Sequence, residues 1–200
     1  MNNGVAIFVP KFKLSFFAPR EVKRAFSHWE RLGGMGGMVL VEPAKSYVIK
    51  ITSCLSSIRL LERQVSDQIS TLPTVLKSYG KVGAGSYPDG DPFPIYAFAL
   101  EWLTPGDPEV CGQLAATVLR CRQTLIAESN EQGIGEPALS LETLDRFLGI
   151  APVDLREGLQ RIKETILVTK GRLDLIVPAN WMMRGAQIVM SDPLISPRSW

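Results

Sequence analysis

Leu139-Ser-Leu-Glu-Thr-Leu-Asp-Arg-Phe-Leu-Gly-Ile150 predicts a helix, with Leu144, Phe147 and Leu148 on one face, Ser140 at the N-cap and Gly149 at its end. A second helix follows from Pro152, where Leu155, Leu159 and Ile162 recur at steps of four and three. Ile166-Leu-Val-Thr169 and Arg172-Leu-Asp-Leu-Ile-Val177 then read as two strands around a Lys170-Gly171 turn. The order helix, glycine turn, helix, β-hairpin is that of a winged helix-turn-helix. The same residues also suit an αα-hairpin and a β-hairpin used only for packing, or a winged helix that binds protein.

Upstream, the chain predicts strands and helices in mixed order. Val5 to Phe17 is aromatic and β-branched and reads as an edge strand, since Pro10 cannot donate to a ladder. A helix opens at Pro19-Arg20, with Val22, Phe26 and Trp29 facing inward, and Gly33-Gly-Met-Gly-Gly37 ends it. Residues 38–42 and 46–52 suggest a hairpin. Leu55 to Leu72 suggests a helix of about five turns broken at Pro73. Tyr79 to Asp91 holds four glycines and the turn-rich run Tyr87-Pro-Asp-Gly-Asp-Pro92, in which Asp89 and Asp91 are turn residues rather than metal ligands. Phe93 to Leu103 reads as a buried aromatic strand. Asp107-Pro108-Glu109 starts a helix with Val110, Leu114, Val118, Cys121 and Leu125 as its inner stripe. The polar run Ser129 to Pro137 marks a boundary. The expected fold class is therefore α+β. A mixed α/β domain with antiparallel strands spans 1–130, a winged-helix-like module spans 137–178, and a tail spans 179–200, with Met182 and Met183 packing on the body or on a neighbour.

Composition narrows the function classes. The 200 residues are 46% hydrophobic and 21% charged, enough to build a core. No run approaches the ~20 apolar residues of a membrane span, and Lys11 and Lys13 interrupt the early apolar stretch that a secretory signal would need. Integral membrane association is not expected. Three cysteines and a single histidine, with no CxxC, speak against structural zinc or a disulfide framework; the expected setting is a reducing, cytoplasmic one. No metal, cofactor or catalytic motif is expected, and His28 reads as a surface or packing residue. The protein is expected to be a non-enzymatic binder.

The net charge is +2, but its distribution is uneven. Residues 1–32 carry Lys11, Lys13, Arg20, Lys23, Arg24 and Arg31 against Glu21 and Glu30; six less two leaves a local +4. Residues 139–178 carry six bases against six acids.

Over about forty residues the module resembles the C-terminal domain of Crp/FNR-type regulators. Leu144, Leu148, Gly149, Ile150, Leu155, Leu159 and Ile162 stand where that domain keeps its packing residues and turn glycine. The resemblance implies a recognition helix at 152–164, a wing with Lys170 and Arg172, and nucleic-acid contacts from Arg156, Arg161, Lys163, Lys170 and Arg172. Asp145 and Asp154 depart from that family's pattern, and nothing before residue 137 looks like its cyclic-nucleotide barrel. Because phosphate neutralisation supplies most non-specific affinity, a net-neutral reader would lean on dimerisation or on the basic N-terminal face. A continuous positive surface at 152–163 would favour nucleic acid. A mixed or apolar one would favour a protein partner.

A second resemblance lies in Phe26-Ser-His-Trp-Glu30, Gly34-Met-Gly-Gly37 and Tyr47-Val-Ile-Lys50, which are similar to a stretch of vesiculovirus-type rhabdovirus matrix proteins. It implies a viral assembly protein that self-associates, through the aromatic 93–102 stretch or Met182-Met183, and binds nucleocapsid or anionic membrane. The lysine-rich tail and proline-tyrosine motif of that family are absent.

Overall fold

The computed structural model describes residues 15–34, 37–86, 90–129 and 135–195, and the chain is an α+β fold. Its first elements are β1 (Ser15–Phe16), α1 (Arg20–His28), β2 (Glu30–Gly34), β3 (Gly37–Val41), β4 (Tyr47–Thr52), α2 (Leu55–Asp67), β5 (Val75–Ser86) and β6 (Pro92–Glu101). The strands form one antiparallel sheet in the order β1-β5-β6-β4-β3-β2.

Strand alternation explains how both faces of this sheet are covered. On β4, Tyr47, Ile49 and Ile51 join Val22 and Ala25 of α1; on β6, Phe93, Ile95 and Ala97 lie in the same cluster. The intervening Val48, Tyr96, Phe98 and Leu100 meet Ile58 and Leu61 of α2 on the other face.

Three boundaries differ from expectation. α1 ends at His28 with an extended Trp29, and the chain enters β2 directly, so Gly33, Gly34 and Gly37 belong to the antiparallel β2–β3 ladder, in which Gly34 pairs with Gly37. α2 ends at Asp67, because Gln68 is left-handed and the Gln64 side chain closes on the backbone of Ile69 at 2.8 and 3.1 Å. Val75–Ser86, part of which reads as turn, is a twelve-residue strand. Its register on β6 shifts three times, and Gly80 adopts φ +67° beside one such bulge. Glycine-rich sequence there encodes bulges in a long ladder rather than a loop.

The second half comprises β7 (Thr104–Pro105), α3 (Pro108–Glu128), α4 (Glu136–Ile150), α5 (Arg156–Thr169), β8 (Arg172–Leu173), β9 (Trp181–Arg184), β10 (Gln187–Met190) and β11 (Leu194–Ile195). α3 starts as its sequence predicts: Asp107 accepts from the N–H groups of Glu109 and Val110 at 2.8 and 3.3 Å. Its buried line is Cys111, Ala115, Val118 and Leu125, whereas Val110 is exposed. β9 lies between β10 and β7 in a three-stranded sheet, and β8 pairs with β11.

Here the expected hairpin module is corrected. α4 begins at Glu136, so Ser140 is not a cap; its buried hydroxyl instead accepts from the Leu173 N–H at 3.1 Å. Gly149 stays inside α4. Ile166–Thr169 is the last turn of α5, not a strand, because Ile162, Thr165 and Ile166 are buried at helical spacing. The left-handed Lys170 ends the helix. Arg172 and Leu173 then pair with Ile195 and Leu194, so no wing forms between 166 and 177.

One apolar cluster joins both halves and the segment after 179. It runs from Leu60, Ile69 and Leu72 through Val118, Leu144, Phe147, Leu159 and Ile162 to Trp181, Met190 and Leu194. The C-terminal segment is thus core, and Met182 and Met183 sit half-buried in β9. Gly158 of α5 lies close against this cluster. A Cβ there would meet Thr71 Oγ1 at 2.3 Å and Met190 Cε at 2.6 Å, so α5 can lie this close only without a side chain.

Candidate nucleic-acid interface

The C-terminal cations that the Crp/FNR resemblance singles out are mostly committed to carboxylates. Arg161 reaches Asp67 of α2 at 2.8 Å and Glu164 at 3.5 Å. Lys163 is paired with Asp145 of α4. Arg172 lies 3.5 Å from Glu136, which also holds Arg122. Arg156 is exposed and donates to the Ala151 carbonyl at 3.4 Å. Lys170 is exposed at the end of α5. Arg161 and Lys163 thus tie α5 to α2 and α4, and Arg172 ties β8 to α4, which leaves Arg156 and Lys170 as the exposed cations of this set. On the outer side of α5, Arg156, Glu157, Gln160, Leu167 and Val168 are exposed together, which is a mixed face.

The N-terminal set behaves differently. Lys11 and Lys13 lie outside the described residues. On α1, Val22 and Ala25 are fully buried, which turns Arg20, Lys23, Arg24 and Ser27 outward. Arg20, Lys23 and Arg24 are exposed and meet no acid among the described residues. Arg31, on β2, lies across the Phe26 ring at 4.4 Å from its centroid and donates to the Phe26 carbonyl at 2.5 Å. It therefore extends the same side of the sheet, since its cross-strand partner Leu40 packs beneath α1.

α1 is held in place by its one acid. Glu21 accepts from Lys77 Nζ at 2.8 Å and from Tyr47 Oη at 3.5 Å. The Lys77 ammonium first, and the nearby Tyr79 phenol second, hold its carboxyl below the ordinary range. Burial and the neighbouring carboxylate push the Tyr79 phenol well up, so it stays protonated. Pairing Glu21 with the sheet removes the only negative charge of α1 from its outer face.

Nothing in the residue types marks two further polar nodes. Lys50, buried at the centre of the sheet, reaches Asp192 at 2.6 Å, and each of the two cavities beside this pair measures about 10 Å³, room for roughly one water. Arg184 of β9 grips Glu101 at the end of β6 and also donates to the Leu72 carbonyl and Thr74 hydroxyl, both at 3.0 Å. Their partners lie 142 and 83 residues apart in sequence, beyond the reach of any local pattern. Among the described residues no His, Cys, Asp and Glu side chains gather as a metal site. Cys54 and Cys111 are buried, Cys121 is half-buried, and all three are free. No helix among the described residues is long and apolar enough to cross a membrane.

No family model, curated protein or solved structure matches this chain.

Proposed function

We propose that this protein is a non-enzymatic, nucleic-acid-associated binding protein that meets phosphate through α1 rather than through residues 152–172. The observation that carries the reading is the contrast between two basic groups. Arg20, Lys23 and Arg24 are exposed together on one short helix without acidic partners among the described residues, whereas Arg161, Lys163 and Arg172 are spent on Asp67, Asp145 and Glu136, and the exposed Arg156 and Lys170 stand at opposite ends of α5. A cation already paired releases few counterions when it meets a phosphate, so it contributes little to polyanion affinity.

The expected result is a salt-dependent affinity that collapses in the triple variant Arg20→Gln, Lys23→Gln, Arg24→Gln. Losing three phosphate contacts should flatten the plot of log affinity against log salt by about 2 for a single strand. The double variant Arg161→Gln, Lys163→Gln should bind like wild type while melting at a lower temperature. Wild-type affinity and slope in the triple variant would remove α1 from the interface.

The mixed outer face of α5 favours a second reading, a self-associating assembly protein. Val168 on α5 is 77% exposed, and Ile150 at the end of α4 and Val153 in the turn before α5 are 64% and 73% exposed, apolar positions that a second copy of the chain could cover. Of the aromatic 93–102 stretch Phe93 and Phe98 are buried, and Met182 and Met183 are half-buried in β9, so the more exposed valines are the positions to test. Sedimentation velocity should show concentration-dependent association that Val153→Glu and Val168→Glu abolish. A wild-type monomer at every concentration would end this reading.

A further inference from the structure

We propose that the α1 face takes single-stranded nucleic acid, with Arg20, Lys23 and Arg24 on phosphates and Phe17 and the Arg31–Phe26 pair stacking on bases. This inference rests on the phosphate-binding reading of α1 and adds the strandedness of the ligand.

Three observations carry it. First, flat groups lie at both ends of the cationic helix. Phe17, three residues before Arg20, is 56% exposed although its own N–H is fixed to the Val82 carbonyl at 2.9 Å. At the far end, the Arg31 guanidinium lies over Phe26. Cations interleaved with flat rings make a single-strand platform, because every unpaired base offers a π-face. A duplex keeps those faces stacked inward and would leave Phe17 without a partner.

Second, the outward side of α1 offers no amide for base-edge recognition. Besides its cations it presents the exposed His28 and the Ser27 hydroxyl, and the latter is turned back onto the Lys23 carbonyl at 3.0 Å. With no fixed amide to read a base edge, most contacts from this helix should fall on phosphates and binding should be largely tolerant of sequence. Third, the apolar side of α1 is consumed by the core, with Val22 and Ala25 at 0% exposure. An interfacial membrane helix needs that side free to enter the lipid, so an anionic bilayer is the poorer fit.

The test uses the full chain and three probes: a labelled 20-nucleotide mixed-sequence single strand, the same sequence as a duplex, and phosphatidylserine vesicles. The single strand should bind tighter than the duplex. Phe17→Ala should weaken single-strand binding at least about fivefold without changing the salt slope or the melting temperature. Arg31→Lys keeps the charge but loses the planar stack, and should weaken the single strand selectively. Equal affinity for both nucleic acids, with Phe17→Ala silent, would overturn this inference and leave α1 as a phosphate site. No binding to either nucleic acid, with or without binding to vesicles, would overturn the underlying reading as well.

Discussion

Trp181→Ala is expected to lower the stability of the whole chain by about 3–5 kcal/mol. The indole is 1% exposed, packs edge-to-face on Phe147 with centroids 6.2 Å apart, and donates from Nε1 to the Leu175 carbonyl at 2.9 Å. Truncation removes a large buried apolar area, opens a cavity between α3, α4 and β9, and orphans a buried acceptor. Cys111 adds to the effect, since its thiol donates to the Trp181 carbonyl at 3.2 Å and helps set the backbone of β9. Urea unfolding followed separately by helix ellipticity and by fluorescence of the remaining tryptophans should show one shared, shifted transition. A variant that unfolds at the wild-type midpoint, or a transition confined to the C-terminal segment, would mean that residues after 179 are not core.

The second large effect concerns the lock between the main sheet and β9. Arg184→Ala should cost roughly 3–5 kcal/mol, because it leaves Glu101 charged and mostly buried and strips donors from the Leu72 and Ser70 carbonyls. Replacing both partners, Glu101→Gln with Arg184→Gln, should cost less than the single alanine change, and a double-mutant cycle measures that coupling. The pH dependence separates this lock from simple packing. Burial pushes the Glu101 carboxyl up, but hydrogen bonds from Arg184 and the Thr74 N–H outweigh it and hold the group below its ordinary range. Its stabilisation is therefore complete above the unfolded value of about 4.3 and is lost as pH falls through the lower folded value. Without Arg184 only the Thr74 groups still oppose burial, so the folded value moves up toward the unfolded one. The loss of stability on acidification should therefore be smaller in Arg184→Ala than in wild type. Parallel stability–pH curves for the two proteins would show that Glu101 owes nothing to Arg184.

Much of the secondary structure was legible locally. The cap Asp107-Pro108, the hairpin strands around Pro43 and the alternation through Tyr96 and Phe98 each carry their own physical signal within a few residues. β5 was not legible in this way. Its glycines suit a turn, and only pairing with the aromatic β6 makes a bulged strand the better state. Ile166-Leu-Val-Thr169 failed for the converse reason. β-branched residues favour a strand in isolation, yet the buried spacing of Ile162, Thr165 and Ile166 against the core keeps them in α5. The expected wing disappeared with that strand.

By itself the sequence determined the α+β class, the amphipathic character of α1 and α5, and the basic excess of the first 32 residues, because periodicity and charge are properties of neighbours along the chain. Tertiary structure alone decided which cations stay free. Arg161 meets Asp67, and Arg172 meets Glu136, across gaps that no local spacing encodes, whereas the single acid of α1 is drawn onto Lys77 and its bases are left facing solvent. Burial and pairing depend on contacts between distant segments, and the candidate interface was therefore fixed by packing rather than by composition.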